Sequence, residues 1–595
     1  MPQSSRIDEL VAEWLRYDKE SIENFLNPET RSEIEHLWDD GEWDELEARL
    51  GQRIEFGTAG LRAKMQAGYS SMNDLIIIQA AQGLAAHLSK LPDAQKRGVV
   101  VGHDHRHNSK KWAGLTTRAF LSRGFKVYSY RGVVHTPLVP FGIKKLGAVG
   151  GVMVTVPASH NPAQDNGWKV YYENAVQIIP PVDSEISQSI LDNLEPEDEA
   201  WSYETVREHP LCEDKTNNMR YEYHNHVAAL FPPEEPADLA ITHTSFHGSA
   251  DLSIARAFAV TGLPPLMTVR QQRDPDPDFP TLPFPNPEEK GALTLAIETA
   301  NNNGSQYILA NDPDSDRFLA AEKVDRNKWH IYTGDEIGAI LASYIIEEYK
   351  NNGRAMDKMA MVASTVSSKM LGAMAKAEGF HFEDTLTGFK YIGNKAIELE
   401  KQGYSVELLY EEAIGFGVSP YIRDKDGITA AIAFVRLAAR LQKRNTSIYA
   451  QLQNLYKKYG HFGTRNDYFK CSSNSLKDQV FRNLRESKTE NGYPVQLGSF
   501  KVSNVRDLTE GHAYDSQQAS NKPILPVSAG NMITFYGDKE TGETFVLTIR
   551  TSGTEPKIKY YLEVSSSDRS TIEPLLIEAE KALSEDWVKV QELGL

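Results

Sequence analysis

The sequence predicts three consecutive α/β domains followed by a smaller α+β domain. Three observations lead to this fold class. The chain has 595 residues, which at about 150 residues per domain corresponds to roughly four domains. Short apolar, β-rich segments alternate with longer helical patterns over most of the chain, as in α/β layers. After Gly460 the pattern changes to short strands with turn residues and a final helix at 571–593.

The predicted elements follow one another as strand, loop and helix. Helical patterns cover residues 75–91 and 335–350, and the predicted strands cover residues 97–102, 124–130, 150–155, 237–242, 306–310 and 359–364. Because ligands of α/β proteins usually bind beyond the carboxyl ends of the strands, the residues that follow these strands are the first candidates for a site.

The predicted domain boundaries are 1–215, 216–330, 331–458 and 459–595. An acidic, polar segment at 195–218 is interpreted as a connector. The proline-rich segment at 275–287 is predicted to be an extended surface loop, because repeated prolines exclude helix and central strand.

Composition and charge exclude several classes of protein. With 40% hydrophobic and 25% charged residues the chain is typical of soluble globular proteins. Its net charge of −18 argues against nucleic acid or an anionic membrane as a partner. Cys212 and Cys471 lie far apart without metal-ligand spacing, and no segment approaches the roughly 18 apolar residues of a membrane span. We therefore expect a cytoplasmic protein, as a monomer or weak dimer.

A polar loop follows the predicted strand at 150–155. It contains Ser159 and His160, and Lys169 comes shortly after. A serine at the end of a buried strand is exposed by geometry, and neighbouring histidine and lysine side chains could move protons and hold anions. An ordinary polar turn is the alternative, since Asn-Pro and Asn-Gly are common turn formers.

The segment N-D-P-D-S-D-R at 311–317 directly follows another strand. Asp312, Asp314 and Asp316 alternate along it, and such close carboxylates repel one another unless a cation such as Mg²⁺ neutralises them. An EF-hand loop would need glycine and glutamate where Arg317 and Lys323 stand. A solvated acidic turn remains the alternative.

The loop at 550–554, between two predicted strands, could bind a phosphate through a guanidinium, hydroxyl groups and backbone N–H groups, although a plain hairpin turn explains it equally well.

Four further segments are weak signals: 57–62, 385–390, 410–416 and 423–427. Among them Glu411 and Glu412 follow an apolar run, so they could accept sugar hydroxyls at a strand end. Together these features indicate phosphoryl transfer on a phosphosugar.

The motifs, in this order, resemble the α-D-phosphohexomutase superfamily. They are G-T-A-G-L-R at 57–62, A-S-H-N-P at 158–162, D-P-D-S-D-R at 312–317, E-E-A-I-G-F at 411–416 and R-T-S-G-T-E-P-K-I-K-Y-Y at 550–561. Three segments resemble the phosphoglucomutase-2 and phosphopentomutase branch in particular. They are E-E-A-I-G-F, which contains Ala413 and corresponds to the sugar loop of the family, G-F-K-Y-I-G-N at 388–394 and D-K-D-G-I at 424–428. The better-known phosphoglucomutases carry a serine at the position of Ala413.

The resemblance implies three α/β domains with mixed sheets and a smaller α+β domain around a central cleft. It also implies a Mg²⁺-dependent mutase in which phosphorylated Ser159 passes its phosphoryl group to the sugar and regains one from a sugar bisphosphate, with glucose 1,6-bisphosphate as a primer. Ser159, Asp312, Asp314 and Asp316 would hold Mg²⁺. The other residues implied are His160 and Lys169 for proton transfer, Arg62 and Arg317 beside the reacting phosphate, Thr387, Gly388, Lys390, Glu411, Glu412 and Lys425 at the sugar, and Arg550, Thr551, Ser552, Gly553 and Thr554 at the other phosphate.

The expected substrates are small phosphosugars: ribose or deoxyribose 1- and 5-phosphate first, glucose 1- and 6-phosphate second. A glucose-1,6-bisphosphate synthase and a non-catalytic phosphosugar-binding protein are the alternatives. One departure from the family pattern bears on the non-catalytic alternative: Val156 and Pro157 intervene between Thr155 and Ala158. Our hypothesis is that the bend between strand and loop absorbs these two residues and leaves Ser159 within reach of Mg²⁺.

Overall fold

The computed structural model describes residues 3–18, 28–57, 60–156, 161–235, 237–326, 328–471, 473–487, 489, 492–528, 530–552 and 557–595. The chain forms two compact units. Unit 1 comprises Met1–Ile337 and Phe389–Ser447, and unit 2 comprises Gly338–Gly388 and Ile448–Leu595. Within the described part, every helix is too short or too polar to cross a lipid bilayer.

The helices and strands alternate along most of the chain. The helices are α1 (Gln3–Tyr17), α2 (Pro28–Asp39), α3 (Trp43–Leu50), α4 (Asp74–Leu88), α5 (Ala94–Arg97), α6 (Ser109–Ser122), α7 (Leu138–Leu146), α8 (Val182–Leu191), α9 (Thr216–Leu230), α10 (Ala250–Thr261), α11 (Thr294–Asn303), α12 (Gly334–Asn351), α13 (Met370–Glu378), α14 (Phe389–Lys401), α15 (Gly427–Lys443), α16 (Ile448–Tyr459), α17 (Asn474–Arg485), α18 (Arg569–Ala582) and α19 (Val590–Leu593). The strands are β1 (Leu61–Lys64), β2 (Val99–His103), β3 (Val127–Ser129), β4 (Gly150–Val154), β5 (Asp165–Tyr172), β6 (Cys212–Asp214), β7 (Ile241–Thr244), β8 (Met267–Thr268), β9 (Tyr307–Asn311), β10 (Phe318–Asp325), β11 (Lys328–Ile331), β12 (Met359–Ser364), β13 (His381–Thr385), β14 (Ser405–Glu411), β15 (Gly415–Gly417), β16 (His461–Lys470), β17 (Gln496–Leu497), β18 (Phe500–Asp507), β19 (Tyr514–Asp515), β20 (Met532–Asp538), β21 (Thr544–Thr551) and β22 (Lys557–Ser566).

The first sheet of unit 1 is mixed, with the strand order β1-β5-β4-β2-β3-β6. Strand β2 lies parallel to both β3 and β4, whereas β5 is antiparallel to β1 and β4. The connection β2–α6–β3 leads to the neighbouring strand, and β3–α7–β4 leads back past β2 in the opposite direction, so right-handed crossovers put α6 and α7 on opposite faces of the sheet. Val99 and Val101 are fully buried together with Trp112 and Phe120 of α6.

The second sheet of unit 1 has the order β11-β10-β9-β7-β8. Strand β7 is parallel to β8 and β9, and β10 is antiparallel to β9 and β11. The six residues between β9 and β10 form the aspartate loop. Unit 1 also contains the antiparallel pair β14 and β15, followed by the buried helix α15.

Unit 2 contains a parallel pair and an antiparallel sheet. Strands β12 and β13 pair in parallel. The larger sheet has the order β16-β22-β21-β20-β18-β17, with β19 paired to β18. Its apolar face is covered by α18, and Leu547, Ile549, Leu562 and Leu576 lie in the shared core.

The predicted fold class of α/β layers with a C-terminal α+β part is confirmed. Strand β12 has the predicted bounds, whereas β7 begins later than predicted. The interpretation of 195–218 as a connector is wrong in part, because Cys212–Asp214 pairs in parallel with β3 at the sheet edge, where a short polar strand needs no burial. Residues 275–287 form neither helix nor strand, as predicted, although Phe279 is buried against the guanidinium of Arg106.

Candidate active site

The aspartate loop is held in unit 1 by close backbone contacts. The backbone N–H of Arg317 donates to Asp312 Oδ1 at 3.0 Å, and that of Ser249 donates to the carbonyl of Pro313 at 2.8 Å. Gly427, the first residue of α15, comes so close that a Cβ there would lie 2.2 Å from the Arg317 carbonyl oxygen. A larger residue at this position would therefore displace the loop.

This contact gives a testable prediction. Gly427→Ala is expected to destabilise the aspartate loop by about 1–3 kcal/mol, the usual cost of overpacking a core. Hydrogen exchange of a peptide covering 311–317 should become at least about fivefold faster. Gly132→Ala is the matched control, because a Cβ there meets only the tip of Arg220 at 3.9 Å. Equal exchange in the two variants would contradict the proposed contact.

The three aspartates form a cluster that fits a divalent metal ion. Asp312, Asp314 and Asp316 are 0–2% exposed, and each offers an oxygen within 4.8 Å of the others. Asp314 Oδ1 is buried and accepts no hydrogen bond from the residues that the structure describes. Hard carboxylate oxygens in this arrangement suit Mg²⁺.

Lys169 compensates part of the charge of this cluster. Its Nζ lies 2.6 Å from Asp314 Oδ2 and 2.9 Å from Asp316 Oδ2, and the side chain is 1% exposed. Burial alone would lower the pKa of Lys169, but the two carboxylates raise it above its ordinary value. Burial likewise would raise the pKa of Asp316, but Lys169, Lys425 and Arg317 hold it low.

Both ends of the serine loop are fixed by the segment after β2. Asp104 Oδ2 accepts a hydrogen bond of 2.7 Å from Thr155 Oγ1 on one side of the loop. On the other side, the Arg106 guanidinium donates to the carbonyls of Asn161 at 3.0 Å and Pro162 at 2.9 Å. Ser159 and His160 themselves lie outside the described residues. Val156, the first inserted residue, is buried, and Pro157 is also outside the described part.

Two further cations and a glutamate lie close to the aspartates. Lys425 Nζ lies 3.5 Å from Asp316 Oδ2 and 3.9 Å from Glu411 Oε1. Arg317 Nε lies 3.9 Å from both Asp312 Oδ2 and Asp316 Oδ1. Burial raises the pKa of Glu411, which is 8% exposed. Lys169, Arg317, Glu411 and Lys425 therefore form one connected group with the aspartates.

Unit 1 contains three other residues that the sequence predicts for the site: Arg62, Glu412 and Lys390. Arg62 is on β1, where it pairs with Gly167 of the strand that carries Lys169. Glu412 follows Glu411 and is half-buried. Lys390, on α14, is buried beside the Tyr391 ring, and burial lowers its pKa to about 8.

The remaining predicted residues belong to unit 2. Arg550, Thr551 and Ser552 are half-buried at the end of β21, and Arg550 Nη2 donates to the Tyr561 hydroxyl at 2.9 Å. Gly553 and Thr554 lie outside the described residues. Thr387 and Gly388 end the segment after β13; the buried Thr387 Oγ1 has no hydrogen-bond partner in the described part of the chain, and Gly388 has φ 116°.

The sequence analysis missed several residues that position this site. Asp104 and Arg106 directly follow β2, so the strand-end rule that found the aspartate loop could have found them. Thr136 Oγ1 donates to Asp314 Oδ2 at 2.8 Å, and its backbone N–H donates to the Asp314 carbonyl at 2.9 Å. No motif points to Thr136, because this contact joins distant parts of the chain.

Comparison with known proteins identifies the family of this chain. Models of the phosphoglucomutase/phosphomannomutase alpha/beta/alpha domains I, II and III match residues 53–197, 221–325 and 333–459. A Schizosaccharomyces pombe protein named as a probable phosphoribomutase is 44% identical, covering 99% of both chains. The human phosphopentomutase is 40% identical (100% of this chain, 98% of that protein), and the human glucose 1,6-bisphosphate synthase is 39% identical (99% and 96%).

Among solved structures, the phosphoglucomutase parafusin of Paramecium has a TM-score of 0.63 at 18% identity, covering 91% of this chain and 95% of its own. That likeness shows a common fold. The match to three consecutive domain models and the full-length relatives go further: this chain belongs to the phosphoglucomutase/phosphomannomutase family of the α-D-phosphohexomutase superfamily and is a mutase of the branch that includes these relatives.

Proposed function

We propose that this mutase interconverts ribose or deoxyribose 1-phosphate with the 5-phosphate, and glucose 1-phosphate with the 6-phosphate. The observation that carries this proposal is the buried group of three aspartates, Lys169, Arg317 and Lys425 in a chain with full-length phosphoribomutase and phosphopentomutase relatives. A dianionic substrate approaching a chain of net charge −18 needs such a local concentration of cations.

The proposed reaction has two phosphoryl transfers. Ser159 Oγ, carrying a phosphoryl group, gives it to the free hydroxyl of the bound sugar phosphate, which becomes a bisphosphate. The other phosphate of that bisphosphate then returns to Ser159 Oγ. In each transfer His160 takes up the proton of the attacking hydroxyl and returns it to the departing oxygen, the Lys169 ammonium assists by donating to that oxygen, and Arg62 and Arg317 bind the reacting phosphate. A sugar bisphosphate such as glucose 1,6-bisphosphate primes Ser159 with its first phosphoryl group.

Asp312, Asp314 and Asp316, together with Ser159, would hold Mg²⁺. The ion supplies charge neutralisation for the transferring phosphoryl group. Thr387, Gly388, Lys390, Glu411, Glu412 and Lys425 are proposed to bind the sugar. Residues 550–554 are proposed to bind the phosphate that is not reacting.

The first experiment is a comparison of kcat/KM for ribose 1-phosphate and glucose 1-phosphate, with Mg²⁺ and a trace of glucose 1,6-bisphosphate. We expect turnover of both sugars and a preference for ribose. A preference for glucose would reject the pentose assignment and leave the mechanism standing. Turnover of neither sugar would reject the mutase proposal for these substrates.

A glucose-1,6-bisphosphate synthase is the second candidate, favoured by the 39% identical human relative of that name. It would use the same serine but take its phosphoryl group from an external donor and release the bisphosphate. The two activities are distinguished by the product: a mutase returns a monophosphate, whereas a synthase accumulates bisphosphate in amounts far above the enzyme concentration.

Glu411→Ala is expected to raise KM for the sugar phosphate at least about tenfold, because a buried carboxylate that accepts sugar hydroxyls contributes more than 1.4 kcal/mol. Phosphorylation of Ser159 by glucose 1,6-bisphosphate, followed by intact mass, should proceed to the same final extent. Equal impairment of recognition and serine phosphorylation would show that Glu411 acts on the serine or the metal site instead. Glu407→Ala, on the same strand β14, is the control.

Lys390 should make the activity depend on pH, because burial lowers the pKa of this side chain to about 8. Its ammonium is present below this pH and lost above it, so substrate binding that uses this charge weakens as pH rises. We expect kcat/KM to fall from pH 8 to pH 9.5, since this parameter reports the free enzyme. Lys390→Arg keeps the positive charge, so kcat/KM of this variant should not fall over the same pH range. Superimposable profiles for the two proteins would exclude Lys390 as the cause.

A further inference from the structure

A cavity of about 550 Å³ opens in unit 1 at the carboxyl ends of β2 and β3. His103 ends β2, Ser129 ends β3 and Tyr130 follows it; all three line the cavity. The first turns of α6 and the segment 203–207 complete it. Among the described lining residues there is none of the three aspartates, nor Lys169 or Thr136, whereas Arg106, which holds the carbonyls of Asn161 and Pro162, is one of them.

The position of this cavity is one at which α/β sheets bind ligands. The chain leaves β2 through α6 on one face of the sheet and leaves β3 through α7 on the other, so the two loops diverge. Such a divergence opens a crevice beyond the strand ends, and small molecules bind there in open α/β sheets. The volume lies within the range of small-molecule sites.

The cavity also carries positive charge. Lys110 and Arg207 line it, and neither has a carboxylate oxygen within 4.0 Å among the described residues, although Arg207 still helps to lower the pKa of Asp214. By contrast, the neighbouring Lys111 is paired with Asp74. Glu204 is the one carboxylate among the described lining residues. In a chain of net charge −18, two unpaired cations at one cavity favour an anionic ligand.

A buried, unsatisfied polar atom lies at the same place. His103 is 4% exposed, and its Nδ1 donates to the Asp104 carbonyl at 2.8 Å, which leaves Nε2 as an acceptor. Nε2 has no hydrogen-bond partner in the described chain. Burial lowers the pKa of His103, which favours the neutral ring. Buried polar atoms without a partner are rare and call for a bound group such as a hydroxyl.

We propose that this cavity binds a small phosphate-bearing metabolite at a site separate from the active site. The phosphate lies between Lys110 and Arg207, and a hydroxyl of the ligand donates to His103 Nε2. Arg106, which also lines the cavity, holds the carbonyls after the serine loop. A ligand in the cavity therefore contacts the same segment that fixes that loop.

The test is residue-resolved acetylation of lysine in the full-length protein, with and without inorganic pyrophosphate. We expect pyrophosphate to slow the acetylation of Lys110 at least about threefold and to leave that of Lys96, which is exposed as well, unchanged. Sodium chloride at matched ionic strength is the control for screening. Unchanged acetylation of Lys110, or equal slowing by sodium chloride, would overturn the proposal.

Two charge-matched variants locate the effect. Arg207→Glu is expected to abolish the protection of Lys110 by pyrophosphate, whereas Arg326→Glu, in the exposed turn between β10 and β11 and not a described lining residue of the cavity, should retain it. Near-ultraviolet circular dichroism checks that both variants keep the native fold. Protection of Lys110 that persists in Arg207→Glu would contradict the site. Because Lys110 and Arg207 take no part in the proposed mutase reaction, this result does not depend on the proposed function.

Discussion

Replacing Ser159 by alanine is expected to lower the mutase kcat by at least about 10⁴-fold and to leave the fold intact. Both proposed steps pass the phosphoryl group through Ser159 Oγ, so no transfer remains when this atom is removed. Losses of this size are typical when a covalent nucleophile is deleted. The variant should also gain no phosphoryl group in intact-mass spectra after incubation with glucose 1,6-bisphosphate.

The surroundings of the serine loop explain why the effect should be so specific. Thr155 before the loop is bound to Asp104, and the carbonyls of Asn161 and Pro162 after it are bound to Arg106. These anchors do not use the serine hydroxyl, so its removal leaves them in place. Ser187→Ala, a change on α8 in the same unit, is the control and should keep full activity. Substantial turnover by Ser159→Ala would contradict the phosphoserine mechanism.

The sequence was most informative where function and local structure coincide. Asp312, Asp314 and Asp316 were predicted from three alternating carboxylates after a strand, and the structure brings their oxygens within 4.8 Å. Lys169 was predicted near the serine, and the structure adds its direct contacts with two of the aspartates. The fold class followed from alternating patterns because burial of whole strands leaves continuous apolar runs.

Contacts between distant segments could not be predicted in this way. Thr136 and Asp314 are 178 positions apart, and nothing in their local sequences relates them. Gly427 is needed because the carbonyl of Arg317 and the side chain of Asn311 pass beside it, which is a property of packing rather than of any one segment. The edge strand β6 was missed for a related reason: a polar strand of three residues carries no periodic signal.

Lys169→Met is expected to destabilise unit 1 by about 3–5 kcal/mol, because the change leaves Asp314 and Asp316 buried without their closest cation. Hydrogen exchange of peptides covering 165–172 and 312–325 should become at least about a hundredfold faster. Addition of Mg²⁺ should restore much of the protection, since a divalent ion bound by the aspartates replaces the missing charge. Mutase activity should stay low, because the proposed proton transfer has lost its ammonium.

Lys390→Met is the matched control for this change. Both lysines are buried: Lys169 is 1% exposed and Lys390 is 8% exposed. Burial lowers the pKa of Lys390, whereas two carboxylates raise the pKa of Lys169 despite its burial. Removing the charge of Lys390 should therefore cost little stability and should not respond to Mg²⁺. A similar loss of protection in both variants would mean that the volume of the side chain matters at residue 169. Loss in Lys169→Met alone, reversed by Mg²⁺, would establish that the ammonium and the metal ion compensate the same two carboxylates.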